Sequence, residues 1–111
     1  MLIDLSDLVK DRLSTSQQQI DDFCKRWKIA RLSLFGSVLR EDFGPDSDID
    51  VLYLFLPNHG WTAFDWLDMR AELARLFGRK IDLVSQKYLK NPYLTKEILS
   101  TEKVIYERKE S

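Results

Sequence analysis

A single cysteine stands among 111 residues, so no intrachain disulfide can form and no cysteine-rich zinc motif is available. Cys24 falls within an apolar stripe, where packing accounts for it better than chemistry, because free cysteines are commonly buried and inert. Histidine is as scarce. His59 lies beside Gly60 in a loop, pairs with no nucleophile, and reads as a solvated loop residue. No apolar run approaches the length of a bilayer span. Met-Leu-Ile-Asp-Leu-Ser has neither the basic start nor the long apolar stretch of a signal peptide. An excess of one charge is also missing: 17 Lys and Arg stand against 18 Asp and Glu. That balance gives no global case for direct nucleic-acid binding and confines any such case to a local patch. No internal repeat, low-complexity run or linker interrupts the chain, so one domain over residues 1–111 and a soluble, reducing, cytoplasmic setting are expected.

What is present alternates between helical and extended patterns. Leu5, Leu8, Val9 and Arg12 recur at helical spacing and predict a short amphipathic helix over Ile3–Leu13. Ser14 followed by Gln17 has the spacing of a capping box, and Ile20, Phe23, Cys24 and Trp27 form the apolar stripe of the helix it opens. Arg31–Phe35 reads as a strand ending at Gly36-Ser37, then one helical turn over Ser37–Glu41 and turn chemistry at Phe43-Gly44-Pro45-Asp46. Asp48–Leu56 is a second strand, apolar on both faces in its later part as a central, covered strand should be. A helix over Ala63–Phe77 carries Trp66, Met69, Leu73, Leu76 and Phe77 on its buried side and stops at Gly78. Lys80–Val84 is a third strand. Asn91-Pro92 starts a short helix over Tyr93–Leu99, Val104–Tyr106 forms a last strand, and Glu107–Ser111 is a frayed tail. This alternation implies an α/β (α+β) fold, a small sheet of about four strands with helices packed on one face.

The chemistry concentrates between Leu34 and Asp50. Asp48 and Asp50, one residue apart on a strand, point to the same face with backbones roughly 6.5–7 Å apart. Both carboxylates can then turn onto metal ions spaced about 3.5–4 Å in two-metal phosphoryl-transfer sites. Capping a strand or solvating a loop end would be a blander role. Aspartate is poor in strands, however, and two like charges on one face are costly unless a cation neutralises them. Upstream, Gly36 permits close backbone approach, and Ser37 offers a hydroxyl and an N–H to phosphate oxygens. A phosphate cradle with a carboxylate pair points to an enzyme acting on a nucleoside triphosphate. Arg40, one turn on, can reach a phosphate or brace Asp42 or Asp46. Ser47 either contacts phosphate or fixes the turn. Asp82 interrupts Ile-Asp-Leu-Val. If its strand lies beside the Asp48–Asp50 strand in matching phase, Asp82 completes a carboxylate triad as the general base for the incoming nucleophile; otherwise it is an exposed edge residue. Mg²⁺ suits such a site, being hard and commonly held by carboxylates plus substrate phosphates, and no His or Cys near the motif argues for zinc.

The stretch Gly36–Asp50 resembles the Gly-Ser-x10-Asp-x-Asp signature of the minimal nucleotidyltransferases, small members of the DNA polymerase-β-like superfamily. Arg40 and Asp46-Ser47 also match common residues of that family, and the Phe64–Phe77 helix, Gly-Arg-Lys-Ile-Asp-Leu-Val and Val104-Ile-Tyr-Glu fall where the family has them. The resemblance implies a polymerase-β-like mixed sheet, Mg²⁺ bound by Asp48 and Asp50, Asp82 as the third carboxylate, and Gly36 with Ser37 on the triphosphate.

So short a chain leaves little protein to enclose a base and an acceptor, so a second protein is expected to supply those walls. Minimal nucleotidyltransferases are often encoded beside a HEPN-domain ribonuclease, a toxin that the nucleotidyltransferase silences as antitoxin by moving AMP from ATP onto a tyrosine. The resemblance implies that role here. Added phosphoester charge and bulk in a site that must bind RNA explains the silencing physically. Two rivals stand beside it: a non-catalytic antitoxin that blocks its partner sterically, and a transferase acting on a small molecule or an RNA end. Trp61, Phe64 and Trp66 crowd one segment, either as interface anchors, Trp61 being the best placed, or as packing over the sheet.

Overall fold

The computed structural model describes residues 12–41 and 43–108. Helix α1 (Gln17–Arg26) leads into β1 (Ile29–Phe35), a short 3₁₀ turn (Gly36–Leu39) and β2 (Ile49–Phe55). Helix α2 (Ala63–Phe77), β3 (Ile81–Ser85), a second 3₁₀ turn (Gln86–Tyr88), α3 (Pro92–Thr101) and β4 (Lys103–Glu107) complete the chain. Four strands form one mixed sheet in the order β3-β2-β1-β4, with β2 parallel to β3 and β1 antiparallel to both β2 and β4. Strand β2 is central, as its run of apolar residues implies.

One face of the sheet presents Leu32, Leu34, Ile49, Val51 and Ile81 to the core. Helix α1 brings Ile20, Phe23 and Cys24 to this face, and α2 brings Met69, Leu73 and Phe77. Burial, with Asp21 nearby, pushes the Cys24 thiol well above its ordinary value, so the cysteine is packing material. The limits of α2 follow from local chemistry. Thr62 and Asp65 close a reciprocal capping box at its start, and Gly78 at φ 69° ends it in the left-handed region. Asn91 caps α3 by accepting from the N–H groups of Tyr93 and Leu94, with Pro92 in the first turn.

The other face carries Ser33, Asp50 and Leu52, since Ser33 pairs with Leu52 and Phe35 with Asp50 across β1 and β2. Ser33 is buried, and its hydroxyl donates to Glu102 at the end of α3 (2.6 Å). The chain leaving β3 at one edge reaches β4 at the other through α3, whose Ile98 is buried and whose end meets Ser33 on this second face, so the helices do not all lie on the one face expected.

Three local expectations shift. The cap of α1 is Ser16, which accepts from the Gln19 N–H (3.3 Å), and not Ser14. Ser14 is held elsewhere: its N–H donates to the Phe77 carbonyl (3.3 Å), and its side chain packs against Gly78. Glu107 and Arg108 are tied to the sheet and do not fray, through an Arg31–Glu107 ion pair at 3.1 Å and an Arg108 N–H to Ala30 carbonyl bond at 2.9 Å. His59 is packed and not free in solvent: its ring lies 4.4 Å from that of Phe55, and its Nδ1 accepts from the Trp61 N–H. The helix expected over Ile3–Leu13 lies outside the described residues except for Arg12 and Leu13, and Leu13 is buried in the core.

Candidate active site

The C-terminal end of β1 and the starts of β2 and β3, which lie together at one end of the strands, gather the acidic residues. Asp50 is the second residue of β2, and the parallel register sets it directly opposite Asp82 of β3. The neighbouring strand is in matching phase, and Asp82 is at the same time exposed on the edge strand of the sheet. Asp48 is one residue short of β2, because the strand begins at Ile49, whose N–H donates to the Lys80 carbonyl (3.0 Å). It is exposed, whereas Asp50 is half-buried. Burial holds the Asp50 carboxyl above its ordinary value; Asp82 and then Asp48 push it the same way, against the opposing pull of Arg40 and the Ser37 N–H. Three acids thus crowd a site that a cation would relieve. Among the described residues no three carboxylate, histidine or cysteine groups converge into a preformed metal cluster. This donor set fits Mg²⁺, which typically takes one or two carboxylates and completes its shell from water and substrate phosphate.

Gly36 begins the 3₁₀ turn beside these acids at φ 75°. A Cβ there would stand 2.2 Å from Asp50 Oδ2, so only glycine lets the carboxylate lie against the turn. The Ser37 N–H bonds to Asp50, and the Ser37 hydroxyl donates to the Asp48 carbonyl (3.3 Å). The turn expected to cradle phosphate is therefore joined directly to both aspartates. Ser47 fixes the approach to Asp48: its Oγ accepts from the Gly44 N–H (3.1 Å), and its own N–H donates to the Gly44 carbonyl (3.1 Å). Arg40 is exposed and close enough to Asp50 to favour its ionised form.

Two arginines that local sequence reasoning did not single out hold this loop. Arg12 donates to the carbonyls of Val38 (2.7 Å) and Arg40 (2.5 Å). Arg79 donates to those of Gly44 (2.5 Å) and Ser47 (3.0 Å), and both guanidinium groups lie over the ring of Phe43. The one available signal was the placement of Arg79 just after the helix stop at Gly78; nothing around Arg12 pointed to the loop. Of the three aromatic residues in the segment after β2, Trp61 and Trp66 are partly buried. Trp61 donates its indole N–H to the Trp27 carbonyl (2.7 Å), and Trp66 donates to the Tyr53 hydroxyl (2.8 Å). Phe64 is 81% exposed.

An antiparallel β1–β2 pair, a glycine turn at its end and a β3 parallel to β2 are the arrangement of a nucleotidyltransferase fold. The family model for polymerase-β nucleotidyltransferases matches residues 18–111, and the chain belongs to that family. Within it the chain is a minimal nucleotidyltransferase, an enzyme. It is 33% identical over 66% of its length, and 73% of the relative's, to a Methanocaldococcus jannaschii protein named as a candidate protein adenylyltransferase. A solved structure described as a candidate minimal nucleotidyltransferase is 30% identical, with TM-score 0.67 over 91% of this chain and 95% of that one. The fold is also that of a chain in the complex of a tri-AMPylated Shewanella oneidensis HEPN toxin with its MNT antitoxin. That match has TM-score 0.57 at 19% identity, over 83% of this chain and 70% of that one. No helix among the described residues is long and apolar enough to cross a membrane.

Proposed function

We propose that the protein is a Mg²⁺-dependent adenylyltransferase that moves AMP from ATP to a tyrosine of a HEPN-domain ribonuclease toxin, and so acts as its antitoxin. The observation that carries this reading is the register that sets Asp82 opposite Asp50 beside the Gly36–Ser37 turn. The name of the archaeal relative supports protein as the acceptor, and the AMPylated toxin in the Shewanella complex supports the class of partner.

In this reading Gly36 and Ser37 position the triphosphate with backbone N–H groups at close range. Asp48 and Asp50 hold Mg²⁺, which when bound supplies charge neutralisation to the attacking and departing oxygens. Asp82 accepts the proton of the acceptor hydroxyl. The hydroxyl oxygen bonds to the α-phosphorus, the bond to the β-phosphate oxygen breaks, and pyrophosphate leaves. The Ser37 N–H bonded to Asp50 in this structure must be given up for it to serve a phosphate oxygen. Arg40 lies close enough to share that charge.

The test is incubation of the protein with Mg²⁺, α-labelled ATP and the product of the neighbouring gene, beside an Asp48→Asn, Asp50→Asn variant. Label on the partner with wild type alone supports the proposal. Neutralisation of the partner by both forms without label would establish steric blocking, and label only on a small molecule or RNA would redirect the acceptor.

A further inference from the structure

Asp48 and Asp50 serve the same proposed ion but are held by different means. Asp50 lies within the sheet, between Phe35 of β1 and Asp82 of β3, so two ladders fix its backbone. Asp48 has a partner in neither: the β1–β2 pairing stops at Asp50, and the β2–β3 pairing starts at Ile49. It is exposed, and the turn that leads to it closes on itself through two bonds between Gly44 and Ser47. An exposed residue outside a ladder keeps its backbone freedom unless its two flanking peptide units are tied down. We propose that Arg79 is the positioning residue for Asp48, standing in for the missing strand partner and holding this aspartate beside Asp50 for a shared metal ion. The inference rests on the transferase reading above.

Hydrogen bonds to the two peptide planes around Asp48 carry it. The Ser47 carbonyl, which shares a plane with the Asp48 N–H, accepts from the Arg79 guanidinium (3.0 Å). The next plane holds the Asp48 carbonyl, which accepts from the Ser37 hydroxyl (3.3 Å), and the Ile49 N–H, which donates to the Lys80 carbonyl (3.0 Å). Arg79 and its neighbour Lys80 therefore grip the chain on both sides of Asp48. The same Arg79 nitrogen also donates to the Gly44 carbonyl (2.5 Å) at the other end of the turn, and the guanidinium carbon lies 4.2 Å from the centre of the Phe43 ring. The root of the side chain is anchored too, since the Arg79 N–H donates to the Ala74 carbonyl (3.1 Å) in the last turns of α2. Charge fits the role. Among the described residues neither Arg79 nor Asp48 makes an ion pair, so the guanidinium faces carbonyl oxygens and a ring, and no salt bridge competes with a cation for the Asp48 carboxylate.

The test reads metal binding apart from transfer. Mn²⁺ is titrated into the full chain with a non-hydrolysable ATP analogue present and followed by electron paramagnetic resonance, and AMP transfer is measured across a range of Mg²⁺ concentrations. Arg79→Met removes the donors and keeps bulk over Phe43. Arg79→Lys keeps a cation whose one nitrogen can serve both carbonyls, as one nitrogen does here. Trp66→Ala, bonded to Tyr53 near the far end of β2, controls for lost stability. Arg79→Met is expected to weaken Mn²⁺ binding about tenfold, the equivalent of freeing one residue's backbone. Its transfer should fall at low Mg²⁺ and recover at high Mg²⁺. Arg79→Lys should keep most of the Mn²⁺ affinity, and Trp66→Ala all of it. If Arg79→Met does not fold, Arg79→Gln, too short to span the same gap, takes its place. Unchanged Mn²⁺ affinity without the arginine, an equal loss in Trp66→Ala, or no advantage of Arg79→Lys over Arg79→Met would each overturn the assignment. The two readings fail differently. Mn²⁺ held in an Arg79-dependent way, with no label ever transferred, would keep the positioning role and sink the transferase proposal. Label transferred by a protein whose Mn²⁺ affinity ignores residue 79 would do the reverse.

Discussion

Strand β2 has two unlike ends. Its start holds Asp48 and Asp50 beside Asp82, and there Asp50 carries a carboxyl whose ionisation is opposed by burial and by both neighbouring acids. Its far end, Tyr53 to Phe55, enters a cluster of aromatic rings: Tyr53 and Phe55 meet at 5.1 Å, Phe55 and His59 at 4.4 Å, and Trp27 and Trp61 at 4.9 Å. Every tryptophan there has a partner for its indole N–H, with Trp27 bonded to Glu72 (2.9 Å), Trp61 to Trp27 and Trp66 to Tyr53. The same strand is thus anchored at one end by satisfied, packed groups and left electrostatically unsatisfied at the other. The unsatisfied end is the one the proposed function uses, since a cation binds best where charge has not already been neutralised.

Substitutions at the two ends should therefore have opposite signatures. Asp50→Asn is expected to lower AMP transfer by on the order of 10³-fold, the equivalent of about 4 kcal/mol of barrier, while the melting temperature stays level or rises. Steady-state labelling and a thermal melt on one preparation check both halves. At the aromatic end, Trp66→Ala should cost about 3 kcal/mol of unfolding free energy and leave the rate per folded molecule nearly unchanged. A urea titration gives the first quantity; a tenfold fall in specific activity would show that the ends are coupled. Gly36→Ala should join the two signatures. It forces a side chain into the left-handed region and against Asp50, so about 2 kcal/mol of stability and most of the activity should go together. Gly44→Ala, which meets nothing within 4 Å, is the control and should be near neutral.

The smallest effect is the pH dependence. Because folding raises the Asp50 carboxyl above its ordinary value, the folded state is penalised once that group ionises. The stability advantage of Asp50→Asn should be fully present above the raised value. It should shrink as pH falls through the raised value and vanish below the ordinary aspartate range, where both folded and unfolded chains are protonated. Mg²⁺ should stabilise wild type at neutral pH and leave Asp48→Asn, Asp50→Asn unmoved. Melts across that pH range, with and without Mg²⁺, decide it; an advantage that grew on acidification would contradict the assigned direction.

Some of this molecule was written in its local sequence. The limits of α2, Ala63 to Phe77 with Gly78 after it, and the start of α3 at Asn91-Pro92 depend on caps and backbone preferences acting within a few residues. The Gly-Ser and Asp-x-Asp spacing likewise marked its candidate site, because few other uses place one aspartate in an apolar strand and a second just before it. Pairing decided the rest. Whether Asp82 meets Asp50 depends on β3 lying parallel beside β2 in one register out of several. Ser14 lost the helix cap to Ser16 because the end of α2, more than sixty residues along the chain, holds it. Arg12 and Arg79 converge on one loop from opposite parts of the chain. Spacing and propensity act over a turn or a strand. Contacts between distant segments are set by which apolar faces bury together, and that is settled only when the whole core closes.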